Sequence, residues 1–215
     1  MQPEEAREQI KQGGVIAIVR GDFSPENLLA IAEALLAADL RIFEVTLNTT
    51  GALEAIAALR RRFPQELLVA AGTVRDAAAF DRATAAGAQF TIAPNCDPAT
   101  IARARETGVL HLPGVFTPTE VQTAFAQGCR MVKLAPCDIV GAKHLRVLRA
   151  PLDDVEFVPT GGITVQTIAE FARAGAAAVG VGGSLIPKTG WSLPDITATA
   201  RALRAAWLAA KAIPM

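Results

Sequence analysis

Of the 21 basic residues only five are lysine: Lys11, Lys133, Lys143, Lys188 and Lys211. Lys133 alone lies inside an apolar run of strand type, Arg130-Met131-Val132-Lys133-Leu134-Ala135-Pro136. A buried ammonium without a partner is costly, so a residue of this type in this place calls for a reason. A lysine amine kept from water gives up its proton more readily and becomes a candidate Schiff-base nucleophile toward carbonyl carbon. A second ionisable group, Glu44, sits in a similar run, Ile42-Phe43-Glu44-Val45-Thr46-Leu47. A carboxylate facing an amine suits proton transfer beside a covalent intermediate. Two blander readings stand beside this one. Lys133 could snorkel from a strand end to water, or the two residues could form an ion pair inside a core.

Strand alternation sets which way these side chains point. Phe43, Val45 and Leu47 take one face and Glu44 the other, while Lys133 shares its face with Met131 and Ala135. The runs 15–19, 42–47, 67–71, 89–93, 109–112, 130–135, 155–159 and 177–181 read as buried parallel strands. Helical patterns follow each of them, at 24–38, 50–61, 76–86, 98–106, 118–127, 139–149, 165–174 and 194–211. Ser24 caps the first of these, with Pro25 in its first turn. Strand and helix alternate with a repeat of roughly 25 residues, the size expected of a (β/α)8 TIM barrel. The chain is therefore read as α/β, one barrel domain over 1–215, with a short N-terminal helix at 4–12. A doubly wound open sheet is the competing architecture. It would place its glycine-rich loop after the first strand, whereas the paired glycines here follow the last two.

In such barrels catalytic groups stand at the C-terminal strand ends. Those positions hold Arg20, Glu44, Thr46, Asn48, Thr73, Asn95, Lys133, Thr160 and Ser184. The paired glycines, Thr160-Gly161-Gly162-Ile163-Thr164 and Gly182-Gly183-Ser184, let backbone N–H groups approach an anion closely, and the first is expected to lead straight into a helix N-terminus. Loops after strands seven and eight are the usual phosphate site of this fold. Arg20 is expected to fix one anionic end of a ligand, the carboxylate first and the phosphate as the other option.

The remaining composition narrows the classes. Hydrophobic residues make up 51% of the chain, enough for a full core, and the formal net charge is zero. Neither nucleic acid nor an anionic membrane is expected as a partner. Arg60-Arg61-Arg62 ends a helical pattern, where cations suit the helix C-terminus. Cys96, Cys129 and Cys137 have no metal-ligand spacing and are odd in number, which favours free thiols in a reducing cytoplasm. His144 is expected at the surface, and His111 either faces the barrel or is packed. The charged N-terminus does not read as a signal peptide, and no apolar run reaches the ~18 residues of a membrane span.

The motifs Glu44-Val45-Thr46-Leu47, Ala71-Gly72-Thr73-Val74, Pro113-Gly114-Val115, Lys133 with Pro136, Pro159-Thr160-Gly161-Gly162 and Gly182-Gly183-Ser184 occur in order. With them, nearly the whole chain resembles the 2-keto-3-deoxy-6-phosphogluconate aldolase family, which also includes 4-hydroxy-2-oxoglutarate and 2-keto-3-deoxy-6-phosphogalactonate aldolases. The resemblance implies a class I aldolase that yields pyruvate and D-glyceraldehyde 3-phosphate from a phosphorylated keto acid, or pyruvate and glyoxylate from 4-hydroxy-2-oxoglutarate. It implies Lys133 as the Schiff-base lysine and Glu44 as the general acid/base. Thr73 matches a residue that holds the pyruvyl carboxylate. Thr160, Gly161, Gly162, Gly183 and Ser184 match contacts to the distal hydroxyl and phosphate, and Asn48 and Pro94 complete the substrate-binding set. It further implies a cytoplasmic homotrimer that needs no metal or other cofactor. Three departures bear on the substrate. Asn48 stands where many members carry an arginine, and Arg20 looks like the replacement cation. Asn48 and Asn95 resemble the phosphogalactonate branch, whereas Thr160 resembles the phosphogluconate branch. Ala135 replaces the usual aromatic, and Cys137-Asp138 replaces the usual Ala/Gly–Glu pair. The other readings are a sugar-phosphate isomerase or epimerase with Glu44 as base, and a non-catalytic barrel that binds a phosphorylated ligand.

Overall fold

Parallel strands covered on both faces must be apolar throughout, and β1 (Val15–Val19) has every residue buried. The computed structural model describes residues 1–212, so the last three positions of the expected 1–215 barrel lie outside it. After β1 come β2 (Ile42–Thr46), β3 (Leu68–Gly72), β4 (Phe90–Ile92), β5 (Leu110–Leu112), β6 (Gly114–Val115), β7 (Met131–Leu134), β8 (Glu156–Pro159) and β9 (Val179–Val181). The first sheet runs in the order β5-β4-β3-β2-β1-β9 and the second in the order β6-β7-β8, with every pair parallel.

Two narrow joints close the ring. A parallel bridge between Thr160 and Gly180 links the end of β8 to β9. At the other joint Pro113 splits one barrel strand into β5, which pairs with β4, and β6, which pairs with β7. Proline has no N–H for a ladder, but its carbonyl accepts from the Lys133 N–H at 2.9 Å. The chain is thus a (β/α)8 barrel in which the fifth strand is made of two pieces. The sequence reading ended that strand at Leu112 and treated Pro113-Gly114 as a turn. The structure corrects this, because Gly114 pairs with Lys133 in register.

Alternation sorts the side chains into two cores. Val19, Phe43, Val45, Val132 and Leu134 face the helices, whereas Ile16, Ile18, Ile42, Phe90, Leu112 and Val158 fill the barrel. Helix α1 (Pro3–Gly13) closes the bottom, with Ile10 fully buried against the inner set. Glu156 on β8 pins that helix through Arg7 at 3.6 Å and Lys11 at 3.1 Å. The outer layer is α2 (Pro25–Leu36), α3 (Ala52–Arg62), α4 (Ala77–Ala85), α5 (Pro98–Thr107), α6 (Pro118–Ala126), α7 (Gly141–Arg149), α8 (Ile168–Arg173) and α9 (Leu193–Lys211). Ser24 caps α2 by accepting from the Asn27 N–H, and Thr117 with Glu120 forms a capping box on α6. Helix α8 begins three residues later than the sequence reading placed it. The Thr164 N–H donates to the Thr167 hydroxyl, and the Thr164 hydroxyl accepts from the Gln166 and Thr167 N–H groups, which holds this stretch as a turn.

Candidate active site

Glu44 and Lys133 both point into the mouth of the barrel. Glu44 pairs in register with Ile18 on β1 and Ala70 on β3. Lys133 pairs with Gly114 on β6 and Val158 on β8. They are 1% and 6% exposed, which rules out a lysine lying out in solvent. Neither Glu44 oxygen has a hydrogen-bond partner among the described residues. Burial pushes its carboxyl above the ordinary carboxylate range, against the opposing pull of Lys133 and then Arg20. A carboxyl raised in this way holds its proton more readily than a solvated one, which suits a group that gives and takes protons.

The carboxylate needs room, and β3 supplies it. A Cβ built at Gly72 would overlap the Glu44 carboxylate, so any side chain there would displace it. The next residue, Thr73, sits half-buried at the C-terminal end of β3 with φ +60°. That region is sparsely populated by β-branched residues, and such strain is most often kept where a side chain must be aimed.

Beside this pair opens a cleft of about 320 Å³. It unites Arg20, Thr160, Gly161, Gly162, Gly183 and Ser184 from the ends of β1, β8 and β9. The Ser184 hydroxyl donates to the Ile163 carbonyl at 2.6 Å and ties the two glycine loops together. The N–H groups of Gly161, Gly162, Gly183 and Ser184 have no acceptor among the described residues. Four N–H groups without an acceptor, on residues that line one cleft, are suited to bind an anion. The donors come from turns, since α8 starts only at Ile168 and α9 only at Leu193. The sequence reading had led the first glycine pair directly into a helix N-terminus, and Thr164 and Thr167 are the reason it does not.

The remaining expected residues lie apart from this cleft. Asn48 is exposed in the turn after β2. Pro94 borders a separate recess of about 430 Å³ with Asn95, Gly114 and Ala135. His111 faces the outer core, where its Nδ1 shares a 2.8 Å hydrogen bond with the Thr91 hydroxyl. His144 is half-buried, with Nε2 2.7 Å from the Phe116 carbonyl.

The sequence model of the family described as KDPG and KHG aldolase matches residues 6–201. The chain belongs to the KDPG and KHG aldolase family. It is an aldolase, a carbon–carbon lyase. A probable 2-dehydro-3-deoxy-6-phosphogalactonate aldolase of Rhizobium meliloti is 34% identical over 194 residues, covering 90% of this chain and 91% of that protein. A 2-dehydro-3-deoxy-phosphogluconate aldolase of Dickeya dadantii is also 34% identical, over 199 residues, covering 90% of this chain and 92% of that protein. The solved KDPG aldolase of Legionella pneumophila, with pyruvate captured at low pH as a covalent carbinolamine intermediate, superposes with a TM-score of 0.79 at 27% identity, covering 100% of this chain and 99% of that one.

Two features of this aldolase escaped the sequence reading. Thr46 and Thr49 share a 3.1 Å hydrogen bond, and the Thr46 hydroxyl donates to the Val19 carbonyl at 3.2 Å. This fixes the backbone from which Arg20 projects. Lys188 also lines the cleft, from the loop after β9. No local pattern marks it, because a loop places it there and not a strand or helix.

Proposed function

We propose that this aldolase splits a 2-keto-3-deoxy-6-phospho sugar acid into pyruvate and D-glyceraldehyde 3-phosphate through an imine on Lys133. The observation that carries the reading is a lysine held within the barrel mouth beside a buried carboxylate that has no partner of its own. The Lys133 amine adds to the keto carbon to give a carbinolamine, and loss of water gives the iminium. That cation draws electrons from the bond two carbons away as the hydroxyl proton leaves, so the aldehyde departs and an enamine remains. Protonation of the enamine carbon and hydrolysis release pyruvate and restore the amine. Glu44, its carboxyl raised by burial, carries the protons between these sites through water.

Thr73 meets the pyruvyl carboxylate, and Asn48 and Pro94 border the approach to that end. Thr160 meets a distal hydroxyl. The free N–H groups of Gly161, Gly162, Gly183 and Ser184 hold the phosphate, and Arg20, expected first at the carboxylate, takes the phosphate option because it lines the same cleft. Holding both ends aligns the scissile bond, and such positioning supplies much of an enzyme's rate. The same pyruvyl end serves 4-hydroxy-2-oxoglutarate, which yields pyruvate and glyoxylate. A phosphogalactonate preference is the second reading. It is favoured by Arg20 with Asn48, while the identity to relatives named for each epimer is equal. We further propose a cytoplasmic homotrimer. Three free cysteines suit a reducing compartment, and the exposed Ile139 and Val147 offer apolar surface for a second copy.

Pyruvate release measured side by side on the phosphogluconate, phosphogalactonate and hydroxy-oxoglutarate substrates tests the assignment. The highest kcat/KM is expected with a phosphorylated acid. Release from none of the three would contradict the function.

A further inference from the structure

Every charged side chain that lines the cleft is a cation: Arg20 from the end of β1 and Lys188 from the loop after β9. No carboxylate lines it. Lys188 is led there by packing. The lysine stem passes beside the loop after β1, since a Cβ at Gly21 would stand 3.7 Å from the Lys188 Cγ, at ordinary van der Waals distance. The two loops are also joined by Phe23 and Trp191, whose ring centroids lie 5.9 Å apart. A phosphate monoester carries close to two negative charges at neutral pH, and Arg20 balances only one. The backbone N–H groups supply dipoles but no net charge.

We propose that Lys188 is the second cation of this cleft and sets its preference for a substrate ending in a phosphate dianion over one ending in an uncharged hydroxyl. This rests on the aldolase assignment above and names the residue that makes the phosphate count. The guanidinium gives fixed, directional donors, whereas the ammonium acts as a mobile point charge on the open side of the cleft. Binding through Lys188 is therefore more sensitive to salt than binding through the buried groups.

The test compares kcat/KM for the phosphorylated keto-deoxy acid with that for its unphosphorylated counterpart in the wild type, Lys188→Met and Lys188→Arg. Lys188→Met should lower the value for the phosphorylated acid about tenfold through KM, as expected for a charge-assisted contact in a solvent-open site. The value for the unphosphorylated acid should not change, and Lys188→Arg should restore most of the loss. A wild-type ratio in Lys188→Met, or an equal fall for both substrates, overturns the role of Lys188. A wild type that releases pyruvate from neither acid overturns the aldolase assignment itself, and this role with it.

Discussion

At the scale of single residues, the site is a set of permissions around Glu44. Gly72 clears space for its carboxylate, and Lys133 and Arg20 pull against the burial that favours its neutral form. Gly72→Ala should therefore displace the carboxylate and cut kcat on the order of a hundredfold, as misplacement by about 1 Å commonly does. Steady-state kinetics would check this, and an unchanged kcat would contradict the proposed role of Glu44. Burial also gives a sign for stability. The native state holds its Glu44 proton to a higher pH than the unfolded chain, so its favourable contribution is complete below the unfolded pKa and is lost as pH rises. Glu44→Gln should accordingly be more stable than the wild type in urea at neutral pH, and less active. A destabilised, inactive variant would point to a structural ion pair instead.

At the scale of elements, each piece is placed by chemistry that the sequence states with unequal clarity. The strands are legible because parallel strands covered on both faces leave continuous apolar runs, and β1 and β2 begin where those runs begin. The helix start at Ser24 is legible through its cap. Pro113 misled the strand reading, since a residue without an N–H reads as a break even when its carbonyl still serves the ladder. Thr164 and Thr167 shortened α8, because their hydroxyls compete with the helix for backbone donors. Lys133 and Glu44 could be found locally from charge inside an apolar run. Lys188 could not, since its position depends on a loop that packs against the loop after β1. Helix α1 was seen in the sequence, but its role as a plug was not. Ile10→Ala should cost about 2–5 kcal/mol, because the cavity opens inside the barrel floor. Urea unfolding would measure it, and a loss well under 1 kcal/mol would mean that the floor closes without Ile10.

At the scale of the whole molecule, the barrel divides its labour between two cores. The inner core leaves its upper layer to ionisable groups, and the outer core binds helices to strands. The outer core also contains His111, whose pKa burial lowers to about 4 against a small opposing pull from Asp97. Between that value and 6.5 the unfolded chain takes up a proton that the native state refuses, so stability falls as pH drops through this window. The loss should approach about 3 kcal/mol by the bottom of the window. His111→Gln should show a flatter dependence of stability on pH than the wild type, measured by urea unfolding from pH 7 down to 4. Parallel curves for the two proteins would remove His111 from acid sensitivity.

The proposed chemistry depends on Lys133 forming the covalent bond to the keto acid. Borohydride reduction in the presence of pyruvate, followed by peptide mapping, tests that most directly. The account predicts a pyruvyl adduct on the peptide that carries Lys133, and no adduct in Lys133→Ala. An adduct on another lysine, or one that persists in Lys133→Ala, would contradict it.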